Sequence, residues 1–308
     1  MFLYSYNKTR RLCYKNSQRG LLVENKDIRD ARSLLVVKEN ELIQCASYNL
    51  TMEEMKFLCF VISKIKPTDK ELQKYTISGS DFAEVCGLDK RNVYRDFKKM
   101  AESFDSKTVR CIKFKDEIYP TFRVFSESSY NTSLGTITVM LHSALKKYLL
   151  EIGAESKYTK YELWNIINLK SKYSIRLYEL FKSYSYQCEK EFKIDEIKML
   201  LDAEKYKSFG NLKQRVLDGA IKEINILTDL AASYEAKKSG RGGKVTSIVF
   251  KIKKKKLDDK MVAYYENIDM INTKNKQCKG QMSMFDPEIE DKKDYSQEVP
   301  VIPSKNKK

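Results

Sequence analysis

Histidine is almost missing: the 308 residues hold one, His142. A metal centre built on several imidazoles is therefore impossible, and so is the His-x-His metal site of rolling-circle nickases. In Leu141-His142-Ser143 the lone imidazole reads as a satisfied structural group, not a general base. The seven cysteines (Cys13, Cys45, Cys59, Cys86, Cys111, Cys188 and Cys278) are odd in number, widely spaced and without a C-x-x-C. That is the pattern of reduced cytosolic thiols, not of a disulfide framework or a zinc site. With 11 glycines and 5 prolines, collagen-like and turn-dense all-β architectures are disfavoured. No apolar run approaches the ~20 residues that span a bilayer. The start, Met1-Phe2-Leu3-Tyr4-Ser5-Tyr6 and then Lys8, Arg10 and Arg11, inverts the order of a signal peptide. A bacterial cytoplasmic protein without a membrane partner is expected. Motifs of catalysis are missing too. There is no G-x-S-x-G and no Gly-rich dinucleotide loop, and the glycines near Lys244 fail as a phosphate loop. Lys238 stands where that loop needs its first glycine, and Val245 stands where it needs Ser or Thr. Neither an enzyme nor a cofactor or metal is expected.

What is abundant is positive charge. Lys and Arg number 58 against 42 Asp and Glu, a formal charge of +16. From Leu257 to Lys308 there are 9 basic and 10 acidic residues, so the first 256 residues carry a net +17. A basic body suits a polyanion, nucleic acid before anionic membrane. Charge alone leaves a ribosome-associated or merely soluble Lys-rich protein open.

The length suggests two domains, and the order of elements repeats. After a strand at Val36-Val37-Lys38 and a helical stretch from Asn40 to Ala46, Thr51-x-x-Glu54 forms a capping box. It opens a helix over Met52–Lys64, ended by Pro67. A strand at Tyr75-Thr76-Ile77 leads to a short helix Asp81–Cys86, capped by Ser80 and stopped by Gly87. The next helix, about Asp89 to Phe104, carries Val93, Phe97, Met100 and Phe104 on one stripe. Lys90, Arg91, Arg95, Lys98 and Lys99 supply its basic residues. Thr108–Phe114, Thr121–Glu127 and Thr136–Leu141 are β-rich and supply the wing of a helix-turn-helix. Beyond a connector at Leu145–Ser156, Thr159–Asn168 begins a second copy. Helix Ser174–Tyr184, strand Phe192-Lys193-Ile194, helix Asp195–Asp202 and a long helix from about Asn211 to Leu227 lead to a hairpin. That hairpin runs from Ala231–Lys237 to Val245–Ile252. Tyr173, Tyr178, Phe181 and Tyr184 fall at helical spacing and read as core. The class is α+β, two tandem winged-helix domains suggestive of an old duplication.

In the second long helix, Leu212, Val216, Ala220, Ile224 and Leu227 share one side. Asn211, Arg215 and Lys222 face the other, with Lys207, Lys213 and Gln214 at the entry. The first turns of such a helix enter a major groove, where Arg pairs with guanine and Asn or Gln with adenine. From Lys237 to Lys256 there are 9 basic residues and no acidic one. Glycines at the tip of this hairpin let the backbone approach phosphate, with Lys237, Lys238, Arg241 and Lys244 placed to contact it.

Tyr173-Ser-Ile-Arg176-Leu-Tyr178-Glu179-Leu-Phe, Phe192-Lys-Ile-Asp-Glu-Ile-Lys, Ala220-x-x-Glu223-Ile224-Asn225-x-x-Thr228-Asp229 and Tyr234-Glu-x-Lys-Lys-x-Gly240-Arg241 follow in that order. Together they resemble the iteron-binding plasmid replication initiators, over about Ser33 to Lys256 and most strongly in the second unit. The resemblance implies monomers that bind direct repeats in double-stranded plasmid origin DNA. They help open an adjacent duplex and recruit the host replication initiator and replicative helicase. It also implies self-association through the first domain, in a monomer–dimer equilibrium whose dimers repress their own gene. Arg176 and Glu179 are then a structural polar staple and not DNA ligands. The expected division is a basic arm at 1–33, a first domain at 34–150 for DNA binding and dimerisation, and a second at 156–256 as main repeat reader. A flexible tail, 257–308, follows. A winged-helix transcriptional regulator is the first rival, a nickase or recombinase the remote one.

Within the polar tail stands Gln281-Met282-Ser283-Met284-Phe285-Asp286. It resembles the bacterial sliding-clamp-binding peptide, with Met in place of the more usual Leu at both aliphatic positions. Met284 and Phe285 would fill an apolar cleft and Gln281 would bond at its edge, which makes the DNA polymerase sliding clamp an expected partner.

Overall fold

Thr51 ends an extended stretch and its side chain takes over an orphan helix amide. Its Oγ1 accepts from Glu54 N–H at 3.3 Å, and Glu54 returns a carboxylate oxygen to the Thr51 N–H at 2.8 Å. The computed structural model describes residues 31–66, 68–88, 90–111, 121–152, 157–240 and 243–255. The capped helix, α2 (Met52–Ile62), follows β1 (Leu35–Glu39), α1 (Asn40–Gln44) and β2 (Ala46–Tyr48). It stops at Ile62, two residues before the expected end, where the Ser63 hydroxyl turns back onto the Phe60 carbonyl at 2.7 Å. Pro67 lies outside the described residues. Ala46, expected to be helical, begins β2 because its backbone pairs with Cys111. Phe57 of α2 stands at the centre of the first core, with the rings of Phe82, Phe97, Phe104 and Phe125 5.3–6.2 Å away. Edge-on and tilted ring pairs of this kind add to burial.

A strand, β3 (Lys74–Ser78), leads into α3 (Gly79–Cys86), which Gly87 ends at φ 65° and ψ 29°, the left-handed stop expected of it. Ser80 does not cap α3. The helix begins earlier, at Gly79, whose N–H bonds to the Gly135 carbonyl at 2.9 Å. A tertiary partner thus satisfies a first-turn amide, which removes the need for a side-chain cap. In α4 (Lys90–Ser103) and the turn after it, Val93, Phe97, Met100 and Phe104 are all buried. The β-rich segments divide between two sheets. β4 (Thr108–Cys111) and β5 (Thr121–Arg123) join β2 in the order β2-β4-β5, while the wing is β6 (Phe125–Asn131) and β7 (Thr136–Leu141), in a sheet ordered β3-β7-β6. His142 is structural, as expected. Its Nδ1 accepts from Ala144 N–H at 3.1 Å and its ring stacks on Phe122.

After α5 (Lys146–Leu149), β8 (Tyr158–Glu162) pairs antiparallel with β1, Val36 opposite Tyr161. Then come α6 (Trp164–Ile167), α7 (Lys172–Tyr184), β9 (Glu189–Lys193) and α8 (Ile194–Leu200). The long helix is continuous but not uniform. It consists of α9 (Phe209–Leu212), a π-helical stretch Lys213–Leu217, and α10 (Asp218–Leu227). The wing, β10 (Leu230–Lys238) and β11 (Val245–Lys254), completes a sheet ordered β9-β11-β10. That order repeats β3-β7-β6, and Phe192 opposite Ile248 takes the place of Ile77 opposite Ile137. Asp202, at φ 52°, ends the short helix region of the second unit as Gly87 does in the first.

The two halves share one buried charge cluster. Glu179 on α7, 1% exposed, accepts from Lys38 Nζ of β1 at 2.5 Å, Tyr161 OH of β8 at 2.5 Å and Arg176 at 2.8 Å. Arg176 also donates to the Ile43 and Ala46 carbonyls at 3.0 and 2.8 Å and lies over the Tyr48 ring. Arg176 and Glu179 are thus the polar staple expected of them. Burial pushes the Glu179 carboxyl up, but the Lys38 and Arg176 charges reverse this and hold it at about 2. Its contribution is present above pH 4.5 and is lost as pH falls toward 2. Glu179→Ala strands two buried cations and should destabilise the chain by about 3–5 kcal/mol in urea titration. Glu179→Gln should also flatten the loss of stability between those two pH values.

Candidate nucleic-acid interface

The long helix of the second unit turns Leu212, Val216, Ala220 and Ile224 into the core and leaves Leu227 half-buried. Its entry is fixed by Ser208, whose hydroxyl accepts from Asn211 N–H at 3.2 Å. On the outer side Asn211, Lys213, Gln214 and Arg215 are exposed, with Lys207 just before them. Three of these residues lie in the π-helical stretch, a widened turn that recurs at functional positions. Nothing in the periodicity announced it.

The wing carries Lys237, Lys238 and Lys244, all exposed. A register shift between Lys237 and Lys238 and a left-handed Gly240 (φ 74°) shape its end, with Ser239 N–H on the Lys244 carbonyl at 3.1 Å. Arg241 lies outside the described residues. Two of the expected DNA-binding lysines already have acidic partners. Lys237 donates to Glu191 at 2.6 Å, and Lys213 to both oxygens of Asp218 at 2.9 and 2.7 Å. These hydrogen bonds lower the carboxyls of Glu191 and Asp218 and raise the Lys213 ammonium. Exposed pairs of this kind are worth little and yield to salt or a stronger anion.

Side chains from the quoted motifs tie the helix to the wing. Asn225 donates to the Ala232 carbonyl at 2.9 Å and accepts from its N–H at 2.6 Å. Thr228 accepts from Leu230 N–H at 3.2 Å, and Glu223 from Lys170 N–H at 3.0 Å. Asp229 accepts from Tyr178 OH at 3.0 Å and from Lys182, while its own N–H meets Asn165 at 3.0 Å. These residues build the scaffold; the exposed ones stand on it. Asp218 and Tyr234 had no place among the expected site residues. Tyr234 stood inside a quoted motif, whereas Asp218 gave no sequence signal.

The first unit is more balanced in charge. Lys90 and Arg91 open α4. Arg95 pairs with Asp96 at 3.1 Å and Lys98 stands 4.0 Å from Glu102, all of them exposed, as is Lys99. Tyr94 projects from the same helix and lies against Gly135 of the wing turn, where a Cβ would collide with its ring. Among the described residues no group of three or more His, Cys, Asp or Glu could hold a metal, and no helix is long and apolar enough to cross a membrane. Gln281, Met282, Met284 and Phe285 lie outside the described residues.

Two family models match the chain in sequence order. The initiator replication protein model for the first winged-helix domain covers residues 35–182, and the initiator Rep protein model for the second covers 193–252. The chain belongs to the initiator replication (Rep) protein family. The resemblance drawn from its motifs holds at that level, as does the tandem winged-helix class. A replication initiation protein of Escherichia coli is 23% identical over 230 residues, 71% of this chain and 69% of that one. An uncharacterized 27.6 kDa protein of Escherichia coli is 22% identical, over 68% of this chain and 92% of its own. Among solved structures, the Pi initiator protein in complex with iteron DNA shares the fold, with a TM-score of 0.59 and 19% identity. The match covers 74% of this chain and 99% of that one.

In this Rep protein, Asn225→Ala should leave the Ala232 amide and carbonyl without their side-chain partner. The expected cost is about 1–3 kcal/mol in urea titration, with faster hydrogen exchange at the start of β10.

Proposed function

We propose that this initiator binds direct repeats in the duplex DNA of a plasmid origin, chiefly through the long helix and wing of its second unit. One observation carries the reading. Asn211, Gln214 and Arg215 are exposed on the helix, Lys238 and Lys244 are exposed on the wing, and Asn225 fixes the two elements to each other. Arg215 reads guanine, and Asn211 and Gln214 read adenine, in the major groove. Lys207, Lys213, Lys237, Lys238, Arg241 and Lys244 neutralise phosphates and set the register. The presence of iteron DNA on the Pi initiator, a protein of the same fold, supports this assignment.

The first unit, 34–150, adds Lys90, Arg91, Arg95, Lys98 and Lys99 at the other half of each repeat and carries self-association. The second, 156–256, is the main reader. Bound monomers promote opening of an adjacent duplex and recruit the host initiator and replicative helicase, while dimers repress the protein's own gene. All of this takes place in the bacterial cytoplasm and uses no catalytic residue, metal or cofactor. The tail motif docks on the sliding clamp through Met282, Met284, Phe285 and Gln281.

Footprinting of the DNA flanking the gene should give protections spaced by one helical turn or multiples of it. Arg215→Ala should weaken binding to those repeats by about 1–3 kcal/mol and leave random duplex unaffected; equal losses on both would remove its base-reading role. Lys238→Ala should weaken binding to all sequences and flatten the salt slope by roughly one unit. A Cys278–Ile289 peptide should bind purified clamp with micromolar affinity and lose it when Met284 and Phe285 are changed to Ala. A wild-type peptide that does not bind ends the clamp assignment.

A further inference from the structure

Lys213 and Asp218 are five residues apart, which on a regular α-helix puts them about 140° apart around the axis. A π-helical turn, with its i→i+5 ladder, instead brings such residues much closer together round the axis. The stretch Lys213–Leu217 does so here, and Lys213 Nζ reaches both carboxylate oxygens of Asp218 at 2.9 and 2.7 Å. From the wing, Tyr234 donates its hydroxyl to one of the same oxygens at 2.5 Å. An ammonium and a phenol, from two elements, thus converge on one anion. About half of each charged side chain is exposed, 50% for Lys213 and 47% for Asp218, so the clasp is open to a ligand.

Two donors converging on a pair of anionic oxygens is also what a backbone phosphate requires. We propose that Asp218 is a built-in stand-in for a DNA phosphate, an autoinhibitory contact that occupies Lys213 and Tyr234 until a duplex displaces it. The inference rests on the DNA-binding reading above. A phosphate of random duplex must displace a carboxylate already in place and then leave that carboxylate beside a polyanion. The cost falls on every duplex alike, and base contacts by Arg215 and its neighbours leave the repeat bound in spite of it. Asp218 thus lowers affinity for duplex DNA in general, and occupancy persists where attractive base contacts exceed its cost.

The test is a double-mutant cycle with Asp218→Asn and Lys213→Met on the full chain. The probes are the footprinted repeat fragment and a scrambled duplex of equal length. Melting curves that coincide with wild type show that the fold is kept, and Asp218→Ser provides a second variant. Asp218→Asn should bind both the scrambled duplex and the repeat severalfold tighter. Its salt slope should steepen by about 0.9, so its affinity loss between about 50 and 200 mM salt should grow about threefold. Lys213→Met alone should weaken binding to both duplexes, since it leaves Asp218 beside the phosphates without its partner, and added to Asp218→Asn it should erase the gain. A gain that survives Lys213→Met is only the removal of a negative charge and overturns the inference. So does an Asp218→Asn variant that binds the scrambled duplex no tighter than wild type. A wild-type chain that binds neither duplex overturns the DNA-binding reading itself, and this inference with it.

Discussion

Glu179 is a carboxylate that water cannot reach, and the placement of everything on α7 depends on how its charge is met. Its donors are Lys38 of β1, far off in the chain, Tyr161 of β8, and Arg176 one turn back on α7 itself. A buried anion with any donor missing is costly, whereas a fully paired one specifies a single arrangement of the segments that meet on it. Here that arrangement is the β1–β8 ribbon against α7, with the carbonyls of Ile43 and Ala46 drawn in by Arg176. On α7 itself, Tyr178 and Lys182 hold Asp229, just beyond the end of the long helix. One helix therefore links the buried charge cluster to the position of the second unit's long helix and wing. Removing Glu179 would act on the interface without touching it.

The surface follows the opposite rule. The first 256 residues carry an excess of +17, yet much of the positive charge near the second unit's helix and wing faces an acid. Lys213 meets Asp218, Lys237 meets Glu191, and Lys251 meets Glu235 at 2.5 Å. Such pairs are weak and screened by salt, so a polyanion can open them. Long-range attraction of a polyanion comes from the net charge, whereas each of these lysines must leave its carboxylate before it can meet another anion.

The two units share a plan and differ in detail. In the first, the wing turn satisfies the entry of the short helix, Gly79 N–H to Gly135, and Tyr94 lies on that turn. In the second, side chains do the joining: Asn225 to Ala232 and Tyr234 to Asp218. The first long helix is regular and carries alternating charge, whereas the second is interrupted by a π-helical stretch at its most exposed polar residues.

Local chemistry made much of this legible in the residues alone. Thr51-x-x-Glu54 could cap, Gly87 could adopt a left-handed stop, and the stripe Val93–Phe97–Met100–Phe104 could bury only one face. The repeated order of helices and hairpins followed from these, and so did the exposed set Asn211, Gln214 and Arg215. Ser80, the division of the β-rich segments and the π-helical stretch were not legible, because each depends on a partner distant in sequence. Gly79 needs no side-chain cap once Gly135 supplies a carbonyl. β4 leaves the wing because Ala46, Ser47 and Tyr48 offer it an edge. Lys213 finds Asp218 only because the helix widens, and Tyr234 arrives from another element. Sequence determined the elements and the charge they display, since those follow from propensity and periodicity within a few turns. Tertiary structure decided which charges are already occupied, since a hydrogen bond forms only between groups that folding has brought within about 3 Å.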